Sequence, residues 1–232
     1  MKIGLLECDH VAPQFRDIAG DYLDMFAALF PGDDLTPYDV CGGRFPKSAE
    51  ACDAFLCTGS RHSVYDDVPW IHGLADFVRL LHRRERCFVG VCFGHQMLGH
   101  ALGGRVAKAA AGWCVGVHTF DVAVPQPWMT PPAAAYNLMM MCQDQIVDLP
   151  PGATVLAATA KCPVGMIRVG ASLLGLQAHP EFPVSYERAL MASRIARISA
   201  DTVRAGLESL DRPVDAALAA GWMRAFMEGR NR

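Results

Sequence analysis

One cysteine of nine stands between two glycines, in the run Cys87-Phe88-Val89-Gly90-Val91-Cys92-Phe93-Gly94-His95-Gln96. The spacing predicts a buried strand, a sharp turn at Cys92 and a helix. Flanking glycines let the backbone pass close to itself at such a turn while the thiol stays exposed, the geometry of a nucleophile elbow with sulfur in place of oxygen. A helix starting at Phe93 turns its free N–H groups and partial positive charge toward the thiol, which favours thiolate chemistry. The Phe93 N–H is then free to face an oxyanion. A free cysteine without these neighbours is most often a packed core residue; the glycines and the strand-to-helix switch set Cys92 apart.

A thiol nucleophile needs a base. His179 follows an apolar strand in Leu173-Leu174-Gly175-Leu176-Gln177-Ala178-His179-Pro180-Glu181-Phe182. Glu181, two residues on, can accept a hydrogen bond from the second ring nitrogen, fixing the tautomer and stabilising the imidazolium. Pro180 stiffens the link between them. His82 lies in a basic helix end, His62, His72 and His118 have no supporting pattern, and His95, three residues past Cys92, suits a surface or cap position. Cys92, His179 and Glu181 together form a nucleophile–base–acid set for acyl transfer through a thioester. That chemistry requires no metal and no organic cofactor. An odd number of cysteines with no Cys-x-x-Cys spacing also points away from a disulfide framework or a zinc ribbon.

The elements that must position these residues are legible in the hydrophobic pattern. Residues 3–6, 54–58 and 87–91 read as short buried strands, separated by segments of helical period, which is the βαβ pattern of a parallel sheet. Phe15, Ile18, Ala19, Tyr22, Leu23, Phe26, Leu29 and Phe30 step by three and four and predict one helix ended by Pro31-Gly32. Trp70 through Leu81 predicts a second, and Met97, Leu98, Ala101 and Leu102 a short third, closed by Gly103-Gly104. From 105 to 177 the texture changes to short apolar runs between Pro and Gly turns, the mark of a mixed or antiparallel half. Val214, Leu218, Trp222 and Phe226 then predict a closing amphipathic helix.

The motif residues resemble a known family. Gly90-Val91-Cys92-Phe93-Gly94-His95-Gln96 with His179-Pro180-Glu181 is similar to the class I glutamine amidotransferases, in particular the free-standing group like the glutaminase domain of GMP synthetase. Cys57-Thr58-Gly59-Ser60-Arg61 resembles the family's glycine turn, whose N–H at Gly59 would complete an oxyanion hole with that of Phe93. The resemblance implies an α/β fold with a doubly wound, mostly parallel or mixed sheet flanked by helices, flavodoxin-like. It carries Ser60, Gln96 and Asp144 over as substrate-pocket candidates; Gln96 can equally be a helix residue making structural hydrogen bonds. Met141-Cys142-Gln143-Asp144 departs from the Ser-His-x-Asp of many relatives, which bears on recognition of the substrate's α-amino and α-carboxylate groups.

The chain has 232 residues, 52% of them hydrophobic and 19% charged, with a net charge of −3. This suits one domain spanning 1–232 and offers no general attraction for nucleic acid or anionic membrane. Residues 1–9 hold an apolar stretch too short for a secretory signal, so the chain is expected in the cytoplasm. The longest uncharged stretch, 122–143, is interrupted by Pro125, Pro127, Pro131 and Pro132, so no membrane span is expected. The expected activity is hydrolysis of the γ-amide of glutamine or of a γ-glutamyl small molecule. Two roles stay open: a γ-glutamyl peptidase acting alone, or a glutaminase feeding a separate ammonia-accepting synthetase subunit, since no P-loop pattern is present. A non-catalytic binding or redox-responsive module on the same fold is the alternative from another class. With Met141-Cys142 removing polar partners, weak activity on free glutamine is expected, with better turnover of a γ-glutamyl amide whose leaving group brings apolar area.

A glutamine-mimicking electrophile should alkylate Cys92 selectively among the nine thiols, because only Cys92 has an elbow and a helix N-terminus. Peptide mapping that finds the label chiefly on Cys114 or Cys142 overturns the assignment.

Overall fold

The computed structural model describes residues 1–229. Among these described residues the eleven strands are β1 (Lys2–Glu7), β2 (Asp34–Asp39), β3 (Ala54–Cys57), β4 (Cys87–Val91), β5 (Arg105–Lys108), β6 (Cys114–Val122), β7 (Ala135–Cys142), β8 (Asp144–Asp148), β9 (Ala153–Thr159), β10 (Cys162–Val169) and β11 (Leu173–Leu176). The helices are α1 (Arg16–Ala19), α2 (Tyr22–Leu29), α3 (Pro69–Arg83), α4 (Phe93–Ala101), α5 (Val184–Ser193), α6 (Ile195–Ile198), α7 (Ala200–Ser209) and α8 (Ala216–Met227).

Nine strands form one sheet in the order β2-β1-β3-β4-β11-β10-β9-β6-β7, and β5 pairs with β8 as a separate ribbon. Five neighbouring strands, β2 to β11, run parallel. From β11 outward through β10, β9, β6 and β7 the pairing is antiparallel. The α/β mixed sheet expected from the change of texture at residue 105 is therefore present, with the two halves joined edge to edge at β11.

Side chains alternate between the two faces, as a strand period of two requires. Ile3, Leu5, Ala54, Leu56, Val89 and Val91 pack into one apolar cluster with residues of α2, α5 and α8, whereas Leu6, Phe55, Cys57 and Phe88 join another with residues of α3 and α4. Both faces of the parallel half are covered, which is why its strands read as continuous apolar runs. Among the described residues no helix is long and apolar enough to cross a membrane.

Three elements differ from the sequence pattern. The single helix expected over 15–30 is divided: α1 stops at Gly20, whose φ of +76° ends it, and Asp21 starts α2 with a reciprocal capping box involving Asp24. The polar segment Asp34-Leu35-Thr36-Pro37-Tyr38-Asp39 is strand β2, tolerated with its proline because it forms the outer edge of the sheet. Strand β7 carries Met139, Met140 and Met141, a run without the β-branched residues that signal a strand.

Helix α5 brings a carboxyl group into the core. Glu187 is fully buried, and its Oε1 accepts a hydrogen bond from the Gly116 N–H at 3.2 Å. Burial raises its pKa from 4.5 to about 7, against the opposing pull of His179, the Gly116 N–H and Arg194. The folded chain thus binds a proton that the unfolded chain releases, so this stabilisation is complete below pH 4.5 and is lost as pH rises through about 7. Glu187→Gln should remove that dependence: between pH 5 and 8 the wild type should lose on the order of 2 kcal/mol relative to the variant. Denaturant titrations at the two pH values check it, and an identical pH dependence in both proteins rejects it.

Candidate active site

Strands β3, β4 and β11 lie side by side and parallel, with Cys57 opposite Gly90 and Leu176 opposite Val91. The loops that follow them leave the same edge of the sheet, where open α/β sheets form their binding crevices. The first loop carries Gly59 and Ser60, the second Cys92, and the third His179 and Glu181.

Cys92 occupies φ +50°, ψ −97°, a conformation that costs an L-residue about 1–3 kcal/mol. Close packing holds it there. A methyl group on Gly90 would lie 2.3 Å from the carbonyl carbon of Gly94, and one on Gly94 would lie 2.7 Å from the Cys57 carbonyl oxygen. The glycines therefore serve close approach of α4 to β3 and β4, while the strained φ falls on the cysteine itself. Hydrogen bonds secure both sides of the turn, from the Cys92 N–H to the Leu176 carbonyl at 2.8 Å and from the Gln96 N–H to the Cys92 carbonyl at 2.9 Å.

His179 pairs through Nδ1 with Glu181 Oε1 at 2.7 Å, in a site where both side chains are nearly inaccessible. Its ring stacks on Phe182 at 3.9 Å between centroids and 10° between planes, and Phe182 meets Tyr186 edge-on at 4.8 Å. The His179 N–H donates to the Met139 carbonyl on β7 at 2.8 Å. Burial works against a charge on the imidazole, but Glu181 and Cys92 outweigh it and raise its pKa well above the usual value. With Nδ1 committed to Glu181, Nε2 is the ring nitrogen left to serve Cys92.

Gly59 adjoins both groups: a Cβ there would stand 3.0 Å from His179 Cε1 and 3.8 Å from Cys92 Cβ. Any side chain would intrude between base and nucleophile. Among the described residues neither the Gly59 nor the Phe93 N–H has an acceptor.

Ser60, Gln96 and Asp144 all line the cleft into which Cys92 opens. Asp144 Oδ2 accepts a hydrogen bond from the Ser63 hydroxyl at 2.5 Å, and the Ser60 hydroxyl accepts one from the His62 N–H. Gln96 donates both to the Asp144 carbonyl at 2.6 Å and to Gln177 Oε1 at 3.2 Å, so its amide nitrogen is committed to the scaffold. Gln177 continues the chain by donating to Cys92 Sγ at 3.6 Å. Sequence reasoning passed over Gln177, although a polar residue ending an apolar strand two positions before His179 was a signal. Met141 and Cys142 do line the cleft, as their position next to Asp144 suggested, but its rim is strongly basic rather than simply apolar.

His95, expected at a surface or cap, is completely buried. Burial pushes its pKa down to about 4, against the backbone of Gly175 and Val164, and its Nδ1 occupies the space beside Gly175 where a Cβ would otherwise go. It is a neutral packing residue. Burial also pushes up the thiols of Cys114 and Cys142, which disfavours them as nucleophiles. Among the described residues, one group of metal-ligand types, His10, Asp39 and Cys41, has its donor atoms within 4.8 Å of one another. Its carboxylate is already engaged by the Gly42 N–H, the Cys41 thiol, His10 and Arg44.

Over residues 47–196 the chain matches the family described as Glutamine amidotransferase class-I. It is 30% identical over 203 residues to Gamma-glutamyl peptidase 4 of Arabidopsis thaliana, covering 82% of this chain and 81% of that one. A glutamine-hydrolyzing GMP synthase of Thermomicrobium roseum is 38% identical over 93 residues, which are 40% of this chain and 17% of the synthase. The crystal structure of a glutamine amidotransferase from Thermotoga maritima is similar with a TM-score of 0.76, covering 99% of this chain and 96% of that one at 18% identity; that likeness concerns the fold.

The packing at the elbow generates a direct test. Gly90→Ala should destabilise the fold by about 3 kcal/mol, because its methyl meets backbone rather than a movable side chain, and should slow alkylation of Cys92 in the folded fraction at least tenfold. Gly221→Ala, on an exposed position of α8 with open space around it, serves as the control and should cost nothing. An undisturbed alkylation rate in Gly90→Ala would show that the turn does not depend on the missing side chain.

Proposed function

The chain belongs to the class I glutamine amidotransferase family, and from that premise we propose that it hydrolyses the γ-amide bond of a γ-glutamyl compound through a thioester on Cys92. The observation that carries this reading is the convergence of three loops: a strained cysteine at a helix N-terminus, a histidine–glutamate pair beside it, and two N–H groups without acceptors.

Cys92 attacks the amide carbon as the thiolate, its proton residing on His179. The charge that develops on the carbonyl oxygen is taken up by the N–H groups of Gly59 and Phe93, fixed donors that need no rearrangement at the moment of reaction. His179 delivers its proton to the departing amine as the C–N bond breaks, and the C–S bond of the acyl-enzyme remains. Water enters, gives its proton back to His179, and breaks the thioester to release the γ-carboxylate. Glu181 holds the imidazole in the tautomer and orientation both steps require. Gln177 holds the sulfur, and Gln96 in turn holds Gln177. Asp144 and Ser60 are the groups offered to the amino-acid end of the substrate, Asp144 suiting the α-ammonium.

Free glutamine as ammonia donor to a separate synthetase and a γ-glutamyl peptide as a stand-alone substrate both satisfy this mechanism. The long match to Gamma-glutamyl peptidase 4 favours the second. So does the cleft wall made by Trp113, Met141 and Cys142, which offers apolar area to a leaving group larger than ammonia. In this reading residues 1–232 act as one cytoplasmic domain; the mixed sheet draws strands from both halves of the chain.

Glutamate release from glutamine and from a panel of γ-glutamyl amides tests the proposal. Cys92→Ala and His179→Ala should each reduce turnover by at least about 10³-fold, whereas Glu181→Gln should leave a slower enzyme above that floor. Circular dichroism confirms that each variant is folded. Turnover surviving in Cys92→Ala overturns the mechanism, and a clear preference for free glutamine returns the chain to the ammonia-donor role.

A further inference from the structure

The charge around the cleft is lopsided. Lys108, Arg194 and Arg197 line it together with Arg61, and Asp144 is the single carboxylate among the lining residues. Arg61 is already committed, pairing with Asp9 at 2.7 Å and donating to the His10 carbonyl. Among the described residues no carboxylate pairs with Lys108, Arg194 or Arg197. Arg197 instead lies over the Trp113 ring, 5.1 Å from its centroid. A guanidinium stacked in this way keeps its N–H edge available for a planar anion.

These cations come from different parts of the chain: Lys108 ends β5, Trp113 immediately precedes β6, Arg194 joins α5 to α6, and Arg197 is on α6. Their convergence is a product of the fold. Three positive charges without an ion-pair partner, Arg194 offset only in part by the buried Glu187, repel one another around one opening, and an anionic ligand relieves that repulsion. A γ-glutamyl group brings one α-carboxylate, which one of the three cations, Lys108, can pair with. It also brings an α-ammonium, for which Asp144 is present. Two cations remain beyond what glutamine itself can use.

We infer that two of these, Arg194 and Arg197, form a leaving-group subsite, with Trp113 as its platform, for a departing amine that carries its own carboxylate, so that the favoured substrate is a γ-glutamyl peptide with a free C-terminal acid. This rests on the hydrolytic reading above and deepens it. The reaction is unchanged: the γ-amide C–N bond breaks, His179 supplies the proton, and the amine that leaves is an amino acid or peptide anion rather than ammonia. Ammonia would leave this half of the cleft empty. The apolar wall of Trp113 and Met141 would hold the body of that amine while the arginines hold its carboxylate.

The test compares γ-glutamyl-glycine, γ-glutamyl-glycinamide and glutamine in the full-length wild type and in Arg194→Gln/Arg197→Gln. In the wild type kcat/KM for the acid should exceed that for the amide by at least about tenfold, a charge-assisted preference, and the ratio should fall toward one in the double variant. Because the ratio is taken within one protein preparation, a partly unfolded variant does not distort it. Arg197→Lys, which keeps the charge but loses the planar fork, should fall between the two. A wild-type ratio near one, or a ratio that survives the double substitution, overturns the inference. Equal losses on all three substrates with the ratio intact would also overturn it, by assigning the arginines to the α-carboxylate. Failure to hydrolyse any of the three in the wild type is a different result, since it removes the hydrolytic reading itself.

Discussion

A backbone conformation that an L-residue avoids, φ +50° at Cys92, is the constraint on which the rest of the candidate site depends. It persists because α4 is seated directly on β3 and β4, with only glycines at the two crossing points. Seating the helix there brings its N-terminus under the thiol and leaves the Phe93 N–H without an acceptor. The loop after β3 then has to pass beside the same turn, and there too a glycine, Gly59, leaves room for the imidazole. Strain at one residue is thus set off by close packing spread over three loops, as is common at sites where a side chain must project from a tight turn.

Burial would ordinarily keep an imidazole neutral, and two histidines in this fold show the contrast. His95, behind the elbow, is surrounded by apolar side chains and backbone and is driven down to about 4. His179 is buried too, yet Glu181 and Cys92 lift its pKa well above the usual value. The difference is the presence of an anion within hydrogen-bonding distance, which in a low-dielectric setting outweighs desolvation. Phe182 fixes the ring by stacking and Met139 fixes its backbone, so a charge-bearing base is held without access to bulk water. Glu187 adds a second buried carboxyl near this pair and holds its proton to about pH 7, which limits the negative charge that the core must accommodate.

Outside the buried pair the cleft changes character. Its inner wall has a hydrogen-bonded chain from Asp144 through Gln96 and Gln177 to the thiol, a fixed polar scaffold with its amide donors spent inward. Its mouth has long side chains of one charge sign, without ion-pair partners, arranged about Trp113. Fixed groups suit the reacting bond, where geometry controls the rate. Adaptable cations suit a substrate portion that varies in length and shape.

The elbow and the His179–Glu181 pair were readable from the sequence because each is local: glycine spacing, a strand-to-helix switch and a two-residue separation carry their own steric and electrostatic meaning. The same holds for the buried parallel strands and for α3 and α8, whose periods follow from covering one or both faces of a sheet. Strand β2 was not legible, since an edge strand needs little apolar content, and neither was β7, whose methionines pack well without the β-branched signature. Gly20 divides a helix that apolar spacing alone would continue, because left-handed backbone at a glycine leaves no mark in a hydrophobic pattern. Gln177's role under the thiol and the convergence of Lys108, Trp113, Arg194 and Arg197 were decided by the tertiary structure alone. They depend on which strands become neighbours in the sheet, and that order is set by burial summed over the whole chain rather than by any one segment's own preferences.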